Sequence, residues 1–209
     1  MKRLISLLSA LLLSSQVLAS SDMAPDALVK TVADDVLQTL RTDKGLQGGD
    51  VGKAMDLVET KILPHFNFES MTADTVGKAN WRGATPVQKQ RLVSEFKTLL
   101  VRTYATSLTS YKSQVVRFKP LKLDPADTTA LVKSEILQPG GQPIQADYLM
   151  DKGDQGWKVV DVRFAGISLA ANYRTTFAQE MASGGVDGLI DYLANRNKSL
   201  AAKTAKAGK

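Results

Sequence analysis

The feature that most constrains this chain is a change of apolar period at Ser113. Before it, apolar residues recur every three to four positions. After it come four short runs rich in Val, Ile, Thr and aromatics, at 113–121, 128–137, 144–151 and 157–164. Turn chemistry separates them: Asp124-Pro125, Pro139-Gly140-Gly141 and Lys152-Gly153-Asp154-Gln155-Gly156. Parallel strands need a crossover of about a dozen residues or more, so connections this short favour an antiparallel meander. Helical spacing resumes after a Ser168 cap, with Leu169, Tyr173, Phe177 and Met181, then a stop at Gly184-Gly185. A last helix carries Leu189, Ile190 and Leu193. The expected class is α+β: a curled antiparallel sheet of four or more strands with helices packed on one face.

The helices ahead of the sheet are read the same way. Leu28, Val32, Val36 and Leu40 recur every four residues behind Pro25, with Gly45 and Gly48-Gly49 as the exit. Val51, Met55, Val58 and Ile62 mark a second helix that stops near Pro64. His65-Phe66-Asn67-Phe68-Glu69-Ser70-Met71 leads into a connector ending around Gly77 and Trp81. Thr85-Pro86-Val87-Gln88 then joins an N-cap, a first-turn proline and a capping-box glutamine. From it Leu92, Phe96, Leu99, Leu100, Tyr104, Leu108 and Tyr111 form one apolar stripe, which predicts a single long helix.

The two ends carry different messages. Met1-Lys2-Arg3, the apolar stretch Leu4 to Leu13, Ser14-Ser15-Gln16 and Val17-Leu18-Ala19 before Ser20 follow the order of a cleavable signal peptide over 1–19. As a helix that stretch rises only about 15 Å, half the hydrocarbon core, so the protein is expected to be periplasmic rather than membrane-spanning. The chain holds 27 Lys plus Arg, of which two lie in the signal and five lie after residue 195, where no acidic residue follows. The body from 20 to 195 keeps 20 basic against 21 acidic residues. A nucleic-acid partner is not expected of so neutral a body. One domain is expected over 20–195, and 196–209 as a basic Ala/Lys-rich tail, frayed or disordered.

Catalytic constellations find little material here. With no Cys and one His, zinc sites and Cys/His or Ser/His/Asp arrangements have almost nothing to draw on. The glycine pairs lack the context of a phosphate cradle and read as turns or helix stops. His65 reads as a packed or capping residue. What stands out is apolar and aromatic, and it fits either a filled core or the lining of an apolar cavity. Periodicity alone does not separate the two.

Two blocks of sequence carry a resemblance. The first is His65 to Met71, then Val76-Gly77-Lys78-Ala79-Asn80-Trp81, Ala84-Thr85, Gln88, Phe96 to Leu100 and Thr103-Tyr104-Ala105. The second is Tyr148, Trp157 to Val162, Gly166-Ile167-Ser168-Leu169, Asn172-Tyr173-Arg174 and Phe177. In order and spacing they resemble the MlaC family of periplasmic phospholipid-binding proteins, also called toluene-tolerance auxiliary proteins. The Ala/Lys tail departs from that pattern. The resemblance implies a monomeric carrier, not an enzyme, that holds a diacyl phospholipid and needs no metal or cofactor. It implies shuttling between an outer-membrane lipoprotein–porin complex and an inner-membrane ABC lipid transporter complex, which maintains outer-membrane lipid asymmetry. Leu99, Tyr104, Leu108, Tyr111, Val159, Phe164, Tyr173 and Phe177 are then the expected lipid contacts. A small α+β enzyme with a cone-shaped sheet, or an adaptor domain without ligand, is the alternative.

Overall fold

The computed structural model describes residues 23–111 and 113–207. The expected signal peptide and its cleavage point before Ser20 lie outside them, as do Gly208 and Lys209 of the tail. Helix α1 (Pro25–Thr42) begins on its proline and buries Val29, Val36 and Leu40. It ends at Asp43, before the expected glycine exit. The Asp43 carboxylate caps the short α2 (Lys44–Gln47), accepting from the amides of Gly45 and Leu46 at 2.7 and 3.1 Å.

The second expected helix is α-helical only over α3 (Val51–Leu57). Val58–Ile62 is a π-helical turn and Leu63–His65 a 3₁₀ turn. Pro64 has no N–H to give the carbonyl of Thr60, so the α ladder cannot close there. Phe66 then forms a parallel bridge to Val159, and the Asn67 amide donates to the Val159 carbonyl at 2.9 Å. The Asn67 side chain caps α4 (Phe68–Val76) by accepting from the Ser70 amide at 3.0 Å. Gly77, at φ +90°, separates α4 from α5 (Lys78–Gly83), a backbone conformation a Cβ would strain.

The capping box forms as its sequence dictates: the Gln88 amide donates to the Thr85 hydroxyl at 3.2 Å, and the Thr85 amide to the Gln88 side chain at 2.9 Å. Helix α6 (Pro86–Tyr104) buries Leu92, Phe96, Leu99 and Leu100, but it stops at Tyr104 and not at Tyr111. Ala105–Ser110 is a 3₁₀ segment. Its hydroxyl residues compete for the backbone, as where the Thr109 hydroxyl donates to the Thr106 carbonyl at 2.8 Å. Tighter winding carries Leu108 and Tyr111 off the α6 stripe.

Among the described residues five strands follow in an antiparallel meander in chain order: β1 (Val115–Phe118), β2 (Thr129–Leu137), β3 (Ile144–Gly153), β4 (Gly156–Phe164) and β5 (Ile167–Ser168). Ala165 and Gly166, at φ +49° and +82°, turn the chain so that Arg163 pairs with Ser168. Val160 is an extra residue on β4, since Leu149 pairs with Asp161 and Met150 with Val159; such a bulge sharpens the local twist.

Helix α7 (Ala171–Ala207) closes the fold and is broken at Gly185, whose φ of 64° and ψ of −158° are not helical. The two expected helices thus abut at one residue, and the Ser168 hydroxyl accepts from the Ala171 amide at 2.9 Å. Helix continues past residue 195. Asn197 is buried, its side-chain nitrogen donating to the backbone carbonyl and carboxylate of Glu95 at 2.9 and 2.7 Å, and Leu200 packs on the helical core. These two residues lie four and seven positions after Leu193 and so continue its inward face.

Candidate functional site

Most domains close on one contiguous core, whereas the buried apolar side chains among the described residues fall into three clusters. The first joins α4, α6 and α7 through Met71, Leu92, Phe96, Leu99, Phe177 and Leu193. A second lies on the inner sheet face beneath the start of α1, with Val29, Val132, Met150, Val159 and Val162. The third gathers Val36, Leu40, Leu46, Ala54, Leu57 and Val101 from the end of α1, α2, α3 and the end of α6.

Half-buried apolar side chains border the second and third clusters, along a seam that α1 crosses. On the sheet side stand Phe66, Phe118, Leu121 and Tyr148; on the helical side, Val32, Ile62, Leu63, Leu108 and Tyr111. Phe66 also packs on the first cluster and stacks on Phe68, with centroids 5.6 Å apart. Tyr148 lies opposite Val132 and Val162, and burial pushes its phenol above the usual range. The Tyr111 hydroxyl accepts from Arg41 Nε at 2.8 Å and donates to the Gln114 carbonyl at 3.2 Å. The seam is therefore apolar along its walls and polar at that end.

Of the eight residues expected to touch lipid, seven are spread over all three clusters and Phe164 lies in none. Leu99 and Phe177 lie inside the first, Phe177 edge-on to Phe96 at 5.1 Å. Tyr104 and Tyr173 pack half-buried on the same cluster. Burial, then the neighbouring Tyr104, pushes the Tyr173 phenol up to about 12. Val159 is buried in the sheet cluster, and Leu108 and Tyr111 border the third. Phe164, 38% exposed, stands at the end of β4 beside Ile167, which is 62% exposed. The structure thus brings Leu99, Tyr104, Tyr173 and Phe177 together, and Leu108 with Tyr111, in different clusters.

Several seam residues fall outside that set. Tyr148 had a signal, since it alternates with Ala146 and Met150, both wholly buried on the inner face. Ile62 had only the apolar spacing of the second helix, since nothing in Val58–Ile62 announces a π-turn.

A polar groove of about 500 Å³ lies elsewhere, between α4, β4 and the start of α7. Its Asp74 is held by Arg174, and its Asp161 faces Arg163 at 3.7 Å while accepting from the Ala170 amide at 3.3 Å. Asp151, in the same groove, is raised by partial burial. Among the described residues no group of three or more His, Cys, Asp or Glu is placed to hold a metal ion, and no helix is long and apolar enough to cross a membrane.

Fold and seam together define a class: an α+β protein whose interior is divided between its sheet and its helices. Within that class the chain belongs to the MlaC family, whose family model, described as MlaC protein, matches residues 30–195. It is 24% identical over 180 residues to the toluene tolerance protein ttg2D of Pseudomonas putida, covering 86% of this chain and 83% of that one. The structure is similar to that of a phospholipid-binding protein from Ralstonia solanacearum solved in complex with a phospholipid. That pair superposes with a TM-score of 0.80 at 39% identity, over 86% of this chain and 99% of the other.

Proposed function

We propose that the protein, freed of residues 1–19, is a periplasmic phospholipid carrier. In this reading the acyl chains of a diacyl glycerophospholipid lie in an apolar cavity along the seam, and the lipid is shuttled between an outer-membrane lipoprotein–porin complex and an inner-membrane ABC transporter complex. Such traffic maintains outer-membrane lipid asymmetry. The observation that carries the reading is the likeness to the Ralstonia phospholipid complex over nearly the whole of that chain. Division of the core supports it: α-geometry gives way at Val58–Ile62 and Ala105–Ser110, and both segments border the third cluster.

The physical need is large. At about 0.8 kcal/mol per buried methylene, two chains with roughly 28 CH₂ groups cost on the order of 20 kcal/mol to expose to water. A charged headgroup is best left in solvent, because burying an unpaired ion is costly. Leu108, Tyr111 and Val159 are proposed as direct contacts together with Phe66, Tyr148 and Ile62. Phe164 stands at the mouth. Tyr104 and Tyr173 flank the chains, and Leu99 and Phe177 form the wall behind them. An enzyme would need an acid–base pair in its pocket, and the side chains bordering the seam are aromatic and aliphatic.

Native mass spectrometry of the purified protein, with lipid extraction, tests the proposal. A bound mass equal to one diacyl phospholipid is expected. Protein that carries none and takes none up from vesicles is an adaptor or an enzyme instead.

A further inference from the structure

The second half of α7, residues 186–207, has two unlike faces. Leu189, Ile190, Leu193 and Asn197 are buried and Leu200 is half-buried, so one face is consumed by packing. With 3.6 residues per turn, Lys198 and Lys203 fall about 140° apart, at the two edges of the arc left outside that face, and both are exposed. Lys206 occupies the position three residues after Lys203 on the same helix. No acidic residue follows Asp191, against Arg196, Lys198, Lys203, Lys206 and Lys209. Among the described residues, neither Lys198 nor Lys203 takes part in an ion pair. Glu95, the carboxylate that touches this helix, is occupied by Asn197. These basic residues also lie past residue 195, where the family match ends.

We propose that this helix docks the protein on the surface of an anionic phospholipid bilayer, its ammonium groups against the headgroup phosphates. The exposed positions between the lysines are Ser199, Ala202 and Ala205, so no aromatic or aliphatic anchor is available. Protein interfaces draw most of their energy from such anchors; a fluid anionic headgroup layer needs only charge at its surface. With nothing apolar to insert, the helix lies on the bilayer and lets go when its charge is screened. The inference goes beyond lipid carriage, because the inward face of the same helix keeps the core closed while the outer face meets the membrane.

The test is co-sedimentation of the whole purified protein with vesicles of phosphatidylcholine alone or mixed with phosphatidylglycerol. Binding is expected only to the mixed vesicles, and it should vanish in about 1 M salt, where the Debye length is about 3 Å. Each lysine near an anionic surface contributes about a fivefold gain. Lys198→Gln/Lys203→Gln/Lys206→Gln should therefore bind on the order of 100-fold more weakly, with unchanged melting and unchanged lipid content on purification. The corresponding triple Arg variant should bind as the parent does. Equal binding to both vesicle types, a Gln variant as tight as the parent, or no binding by the parent even though an acidic protein captures it would each overturn the proposal. Vesicle binding is scored apart from bound lipid, so failure of the carrier reading and failure of this one are distinguishable.

Discussion

The α4/α6/α7 bundle and the seam between the second and third clusters are built from similar side chains and reach different ends. In the bundle Phe96 meets Tyr173 and Phe177 edge-on, at 5.4 and 5.1 Å, and Leu92, Phe96 and Phe177 retain no exposure. Along the seam Ile62, Leu63, Phe66, Leu108 and Tyr148 stay half-buried. The difference lies in the backbone. Regular α6 and α7 present continuous stripes that interdigitate, whereas the helical side of the seam is supplied by a π-turn and a 3₁₀ segment. Apolar composition decides that side chains turn inward. Regularity of the segments that carry them decides how fully those side chains are covered.

The largest effect is expected on the closed side. Phe96→Ala removes a wholly buried ring with two aromatic partners and should cost about 3–5 kcal/mol in urea unfolding. A cost near 1 kcal/mol would mean that the bundle is as loosely filled as the seam. Next comes Thr85→Ala, which breaks the capping box at the start of α6 and should cost about 1 kcal/mol with lipid content unchanged. Loss of lipid in that variant would tie the two regions together.

Leu108→Trp probes the open side. Enlarging a side chain in a filled core costs about 1–3 kcal/mol. At the seam the larger ring should cost the lipid-free protein less than about 1 kcal/mol while co-purified phospholipid falls well below the parent's. The lipid-bound parent should also melt higher than its delipidated form, because a ligand bound only by the folded state adds stability. Equal losses of stability in Leu108→Trp and in an enlarged Leu99 would erase the distinction.

Much of the closed side was legible in advance. The capping box, the stripe from Leu92 to Leu100 and the turn chemistry between strands are local signals, and each forms in place. What escaped depends on the end of an element. Leu108 and Tyr111 continue the α6 stripe in spacing, yet the run Thr106-Ser107-Leu108-Thr109-Ser110 tightens to 3₁₀ and moves them to another cluster. Strand β5 escaped for a similar reason, since its turn rests on Ala165 at positive φ, a conformation that alanine seldom announces. Asn197 reads as a polar residue in a basic tail until Glu95, 102 positions away, gives it a partner.

The smallest effect is expected at the joint between the regions. His65 lies between Pro64, whose carbonyl accepts from Lys158 Nζ at 2.7 Å, and Phe66, which packs on two clusters. Burial first, then the charge of Lys158, lowers the His65 imidazole pKa below 6.5. The folded chain therefore holds less proton on this ring than the unfolded chain does, between the lowered value and 6.5. Stability is complete above that range, falls as pH drops through about 6.5, and levels off once the folded ring protonates as well. His65→Gln keeps a polar side chain without a charge and should flatten this part of the profile. Because much of the ring stays near water, the change is small and calls for urea midpoints across about pH 5 to 8. If parent and variant decline in parallel over that range, His65 is no more enclosed than a surface residue, and the joint belongs to the open side.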